Sequence, residues 1–137
     1  SSVKPGQRRQ MEDMVKAGGA KPFYIDAQEH DEVVAAVSHL PHLLSVALVA
    51  STVDNPRWTA MAKLASSGYR DTTRLASGDP RMSRDICLTN RKPIVEAIDS
   101  YIDRLKELRR LVNGGDEKIE EYFIEARKAR EDWLRQR

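Results

Sequence analysis

The stretch HDEVVAAVSHLPHLLSVAL, residues 30–48, holds all three histidines of the chain and sets Pro41 inside an otherwise helix-like apolar run. Val33, Val34 and Val37 fall at helical spacing, so a helix is expected to begin near Glu29. Pro41 has no backbone N–H and crowds the preceding turn, so that helix should kink or restart there. The segment from Pro41 to about Ser51 is nearly all apolar and should be buried on most sides. A kink frees backbone carbonyls and opens a polar recess in an apolar helix, which suits a ligand pocket. His39 and His42, three residues apart, would share a helix face. The spacing fits a metal pair, but no neighbouring Cys, Asp or Glu completes a ligand set, so no metal is expected. The plainer reading is two imidazoles hydrogen-bonded within a core. His30, beside Asp31 at a helix start, reads as local structure.

Working outward, everything from Ala27 onward reads as helix, which makes the fold class all-α with long C-terminal helices. Asn55 and Pro56 form a cap followed by a first-turn proline, opening a short helix with Trp58, Met61 and Leu64. Residues 66–78 form a polar segment of the kind that carries function. Asp79 and Pro80 repeat the cap-and-proline pattern and start the longest element, which runs to about Val112 before Gly114 and Gly115 stop it. Pro93 should kink or interrupt it. Beyond Pro93, Ile94, Ile98, Tyr101, Leu105, Leu108 and Val112 form a heptad-like seam that wants another helix against it. Asp116 caps a last helix whose apolar face carries Ile119, Tyr122, Phe123, Ala126 and Trp133. The seam is read as packing within the chain or, with preference, as an intertwined homodimer.

The first 26 residues differ from the rest. A short helix from about Pro5 ends at Gly18 and Gly19, and Phe23 to Ile25 follow as a β-favouring run. A lone strand cannot satisfy its backbone groups. It should therefore pair across a dimer or, preferably, with a sheet upstream of Ser1. On that reading the chain is a fragment whose sheet lies upstream, and residues 27–137 form a helical domain.

Composition narrows the function classes. At 137 residues the chain is long enough for one domain with a real core. The net charge is +2 and the balance is local, with 11 basic against 10 acidic residues up to Asn90 and 12 against 11 afterwards. No face is forced to be basic, so neither nucleic acid nor an anionic membrane is an expected partner. A single cysteine, Cys87, excludes an intrachain disulfide and suits a reducing compartment. No apolar run reads as approaching the roughly 20 residues of a membrane span, and no signal-peptide pattern opens the sequence. A cytoplasmic location is expected.

The second chemically rich stretch is GYRDTTRLASGDP, residues 68–80. Asp71, Thr72, Thr73 and Arg74 place a carboxylate, two hydroxyls and a guanidinium within four residues. An arginine held by a neighbouring carboxylate makes a rigid fork for a substrate carboxylate or phosphate. A solvated loop with a surface ion pair is the plainer alternative. Arg81 and Arg84, one turn on, could add to an anion site or face solvent.

Together, SHLPH and the later GYRDTTRLASGDPRMSRDICLTN resemble the C-terminal domain of prephenate dehydrogenases, with similarity from about Asp26 to the end of the chain. The resemblance implies NAD- or NADP-dependent oxidative decarboxylation of prephenate to 4-hydroxyphenylpyruvate in tyrosine biosynthesis. It also implies a homodimer, L-tyrosine as a possible inhibitor, and residues 1–26 as the last helix and strand of a truncated nucleotide-binding domain. The phosphate-binding GxGxxG loop is absent from these residues, so the fragment alone should be inactive and the catalytic histidine should belong to the missing domain. Carried over by position, Arg74 would grip a substrate carboxylate and His42 would hydrogen-bond substrate. Ser38 and His39 would line the same recess, and Asp71 and Thr73 would support the loop. Ser83 stands where the family often has an aromatic residue. Relatives that prefer arogenate tend to lack the second histidine, so His42 points towards prephenate. Two other readings compete: a non-catalytic helical dimerisation or interaction module, and another helical-tailed dehydrogenase acting on small hydroxy acids.

Overall fold

The computed structural model describes residues 5–136. Helix α1 spans Pro5–Ala17. Gly19, at φ 77°, turns the chain out of it through the left-handed region. Residues 20–26 take up no regular secondary structure, and no strand occurs among the described residues. The strand expected at Phe23 to Ile25 does not form, because no second strand is present to take its N–H and C=O groups. The segment instead lies back on α1. Tyr24 donates a hydrogen bond to Glu12, and the Arg8 guanidinium sits 4.5 Å from the Tyr24 ring centroid. That hydrogen bond, with Arg8 assisting, holds the Glu12 carboxyl below its usual range.

Asp26 opens the second helix by accepting from the backbone N–H groups of Gln28 and Glu29 at 2.9 and 3.0 Å. Helix α2 (Ala27–Val34) runs directly into a π-helical turn (Ala35–His39), which runs into helix α3 (Leu40–Val53). Pro41 therefore neither breaks nor restarts the rod. In a regular ladder residue 41 would donate to the carbonyl four residues back, and proline has no N–H to give. The wider turn absorbs the mismatch: Leu40 N–H reaches back five residues to Ala35 O.

The resulting 27-residue helix, Ala27–Val53, is long and apolar enough by length and composition to cross a membrane. The expectation that no apolar run comes close is thus corrected: no charged residue interrupts positions 33–50. Two polar bonds tie this rod to later elements of the chain. Ser45, 1% exposed, accepts from Ala76 N–H at 2.9 Å, and Asn90 donates to Asp31 O at 2.7 Å.

The remaining elements fold around that rod. Helix α4 (Trp58–Leu64) follows a turn in which Asn55 Oδ1 accepts from Arg57 N–H. The polar segment read as a loop is helical: α5 (Ser67–Thr73) and a 3-10 turn (Arg74–Ser77). Tyr69 anchors it, stacking at a tilt on Trp58 and bonding the Thr52 hydroxyl at 2.7 Å. Asp79 caps α6 (Pro80–Thr89) by accepting from Arg81 and Met82 N–H, as the sequence suggests. Asn90 separates α6 from α7 (Arg91–Gly114). Pro93 consequently lies in a first turn, where a missing donor costs nothing, and does not kink a long helix. Gly115, at φ 59°, ends α7 and leads to α8 (Ile119–Arg135).

The core of the single chain is small. Among the described residues only Ala35, Ile94 and Leu111 are buried apolar side chains. The segment after Pro41, expected to be buried on most sides, is half-buried; Ser45 is its one buried residue. Accessible surface totals 11826 Å², against about 7,200 Å² for a compact monomer of this mass. Apolar faces on α3, α7 and α8 are left without cover.

Two substitutions should separate capping from buried hydrogen bonding in urea unfolding at fixed protein concentration. Asp79→Ala removes a cap and should cost about 1 kcal/mol. Ser45→Ala leaves the Ala76 N–H unpaired and should cost about 1–3 kcal/mol.

Candidate functional site

The rod formed by α2, the π turn and α3 lies against α6 and the 3-10 turn, and between them is a cavity of about 340 Å³. The π turn and the first turn of α3 supply Ser38, His39, Pro41 and His42, while α6 supplies Met82, Ser83, Ile86 and Cys87. Most of the lining is apolar, with the histidines and two serines as its polar points, the usual make-up of a small-molecule site.

Each histidine of the pair is held. His42 Nε2 and Ser83 Oγ are 2.9 Å apart, and the Ser83 hydroxyl also donates to Asp79 O at 2.8 Å. Gly78 lies against the same ring: a Cβ at that position would come within 3.2 Å of His42 Cε1. His39 Nδ1 is 3.2 Å from Asn90 Nδ2, which also reaches Asp31 O. His30 does not take part; it is exposed and lies 3.3 Å from the Asp31 carboxylate.

The structure therefore brings Ser38, His39 and His42 to one cavity. Arg74 is not part of its lining, although Leu75, the next residue, is. Arg74 is exposed and has no hydrogen bond or ion pair with the other described residues. Its expected partner is engaged elsewhere: Asp71 Oδ1 takes Arg70 Nε at 3.1 Å, in an exposed pair. The reading of Asp71 as the carboxylate that holds Arg74 is corrected accordingly; the adjacent guanidinium reaches it first. Thr73 turns its hydroxyl back to Tyr69 O at 2.7 Å, a bond internal to α5. Arg84 is clamped by Asp85 at 2.7 and 2.9 Å. Among the described residues no His, Cys, Asp and Glu side chains gather as a metal-binding set.

Ser45, Ser83 and Asn90 were not singled out as polar anchors by sequence reasoning. Each bonds a group 31 to 59 positions away along the chain. No local signal marked them, and Asn90 fell inside a stretch read as one continuous element from Pro80 to about Val112.

Comparison with known proteins agrees with this architecture. Residues 26–128 match the family model described as prephenate dehydrogenase, dimerization domain. The chain is 33% identical over 135 residues to the prephenate dehydrogenase of Bacillus subtilis (strain 168), covering 93% of this chain and 36% of that protein. It is likewise 33% identical over 115 residues to the cyclohexadienyl dehydrogenase of Zymomonas mobilis subsp. mobilis, covering 82% of this chain and 39% of that protein. Among solved structures, prephenate dehydrogenase from A. aeolicus, in complex with hydroxyphenyl propionate and NAD+, superposes with a TM-score of 0.80 at 30% identity. That superposition covers 96% of this chain and 48% of the other. The chain thus spans between about a third and a half of the length of these relatives. A family match over most of the chain, on an all-α fold with the two motifs on one cavity, means that it belongs to the prephenate dehydrogenase dimerization domain family.

Proposed function

We propose that this chain is the substrate-binding and dimerising part of a prephenate dehydrogenase, whose intact form carries out NAD- or NADP-dependent oxidative decarboxylation of prephenate to 4-hydroxyphenylpyruvate. The observation that carries the reading is the cavity itself. Its volume of about 340 Å³ suits a single-ring acid, and its few polar points sit in an otherwise apolar wall. The solved relative from A. aeolicus holds hydroxyphenyl propionate, a compound of that size and kind.

In this reading the bound nicotinamide supplies the hydride acceptor, and residues 1–26 are the end of the domain that holds it. The helical part binds and orients. Its apolar wall takes the ring and excludes water, and His42, His39 and Ser38 hydrogen-bond the polar substituents. Arg74, unpaired in the single chain and adjacent to a lining residue, grips a carboxylate as a bidentate fork. The pairing of His42 with Ser83 keeps the imidazole in place where an aromatic residue would otherwise stand. Product formation is driven by aromatisation, so orientation is the protein's main task. The same reading puts the enzyme in the cytoplasm.

The homodimer belongs to the same proposal. The accessible surface of each chain exceeds that of a compact monomer by several thousand Å², more than enough to supply its share of an obligate interface. Sedimentation equilibrium should return twice the chain mass, with no monomer at micromolar concentration; a monodisperse monomer would exclude the dimer.

For the enzyme, nucleotide reduction by the intact protein with prephenate, then arogenate, is the deciding assay. Turnover with prephenate is expected. Arg74→Ala should lower kcat/KM roughly 10- to 100-fold, mainly through KM, the loss expected for one charge-assisted hydrogen-bond pair. Arg74→Lys should not restore it, since an ammonium lacks the planar fork. Activity with arogenate alone would overturn the reading of His42. Absence of turnover with either would leave a helical interaction module.

A further inference from the structure

The hydrogen bonds around the two cavity histidines determine which ring nitrogen carries the proton in each. Asp31 O can only accept, so the Asn90 atom 2.7 Å from it is the amide nitrogen. That same Nδ2 lies 3.2 Å from His39 Nδ1. A proton on Nδ1 would set two N–H donors face to face. Nδ1 is therefore bare and accepts from Asn90, and the proton of neutral His39 sits on Nε2. No other described residue pairs with Nε2. Among the described residues no buried side-chain nitrogen or oxygen lacks a partner. The Nε2–H of His39 is thus an accessible donor on a residue that lines the cavity.

His42 is arranged the other way. The Ser83 hydroxyl hydrogen points at Asp79 O, 2.8 Å away. Were it turned to His42 instead, two oxygen lone pairs would face each other at that distance. Ser83 Oγ therefore accepts, and the proton it takes belongs to His42 Nε2, 2.9 Å off. The ring keeps a bare Nδ1 and has no free donor.

We propose that Asn90 and Ser83 are positioning residues that give the histidine pair opposite roles, His39 as hydrogen-bond donor and His42 as acceptor. The occupant's chemistry follows, and that step rests on the reading of the cavity as the substrate site. The ligand presents an oxygen acceptor, carboxylate or carbonyl, to His39 Nε2–H, and a hydroxyl donor to His42 Nδ1. A ligand with acceptors alone would satisfy only one of the two rings.

The test is the nitrogen NMR spectrum of the chain labelled with 15N-histidine, at about pH 8, above the usual imidazole range. With three histidines in the sequence the signals separate readily. His39 and His42 should each show a single Nε2–H form. Asn90→Asp replaces the donor facing His39 with an acceptor and should move the His39 proton to Nδ1, leaving His42 unchanged. Ser83→Ala should return His42 to the mixture of forms of a free imidazole, leaving His39 unchanged. An Nδ1–H form of His39 in the unsubstituted chain would overturn the proposal, as would a His39 signal indifferent to Asn90→Asp in a variant with intact helical circular dichroism. If that variant loses its helices, Asn90→Ala makes the same distinction by shifting His39 towards the free mixture, and the unsubstituted spectrum alone still decides against Nδ1–H. No substrate enters the measurement, so it stands or falls apart from the turnover assay.

Discussion

A proline without an N–H, set in the middle of an apolar helix, is the constraint from which the site follows. Pro41 cannot join an unbroken four-residue ladder, and the chain answers with a wider turn at Ala35–His39 instead of a bend. That choice keeps a single rod from Ala27 to Val53. The wider turn also advances the register, so that Ser38, His39 and His42 reach the same space beside α6. A sharp kink at this point would have pulled α2 away from Asn90, and with it the bond to Asp31 O that ties the start of the rod to the α6–α7 junction.

The second governing fact is how little of this apolar sequence is covered. Ser45 and Asn90, both polar, are buried among the described residues, whereas Val46, Leu105 and Val112 remain substantially open. Polar anchors of this kind fix one arrangement of the helices, because each is costly to leave unpaired. The apolar residues between them then present continuous faces outward. Within the chain, specificity of packing comes from a few long-range hydrogen bonds, and much of the apolar surface stays open.

The sequence was most informative where local chemistry decides structure. The Asp79–Pro80 cap, the glycine stop at Gly115 and the helical periodicity of α7 are all one-turn effects, and each appears where its residues stand. The run at Phe23 to Ile25 forms no strand because β structure depends on a partner, which the sequence reading placed outside this chain and the described residues do not contain. The polar stretch at 66–78 was read as a loop because its composition is loop-like. It is helical because Tyr69 finds Trp58 and Thr52 across the fold, which no local pattern encodes. Ser38 joined the site only through the family resemblance, whereas His39 and His42 could be grouped from spacing alone. Their partners could not: Ser83 lies 41 positions from His42, and Asn90 lies 51 from His39. Arg74 could be picked out from its neighbours as a candidate for anion binding, but the same neighbours suggested a pairing with Asp71 that the helix gives to Arg70.

The contact between Gly78 and His42 carries a consequence for how this sequence can change. A β-carbon at position 78 would meet the imidazole at 3.2 Å, so the smallest residue is tied to the ring lying over it. Positions 42 and 78 should drift together: a chain with a smaller or more flexible side chain at 42 is free to carry alanine or serine at 78, and one that keeps the histidine must move the ring by a few tenths of an ångström to do so. The glycine is thus a record of the ring, written 36 residues further along the chain.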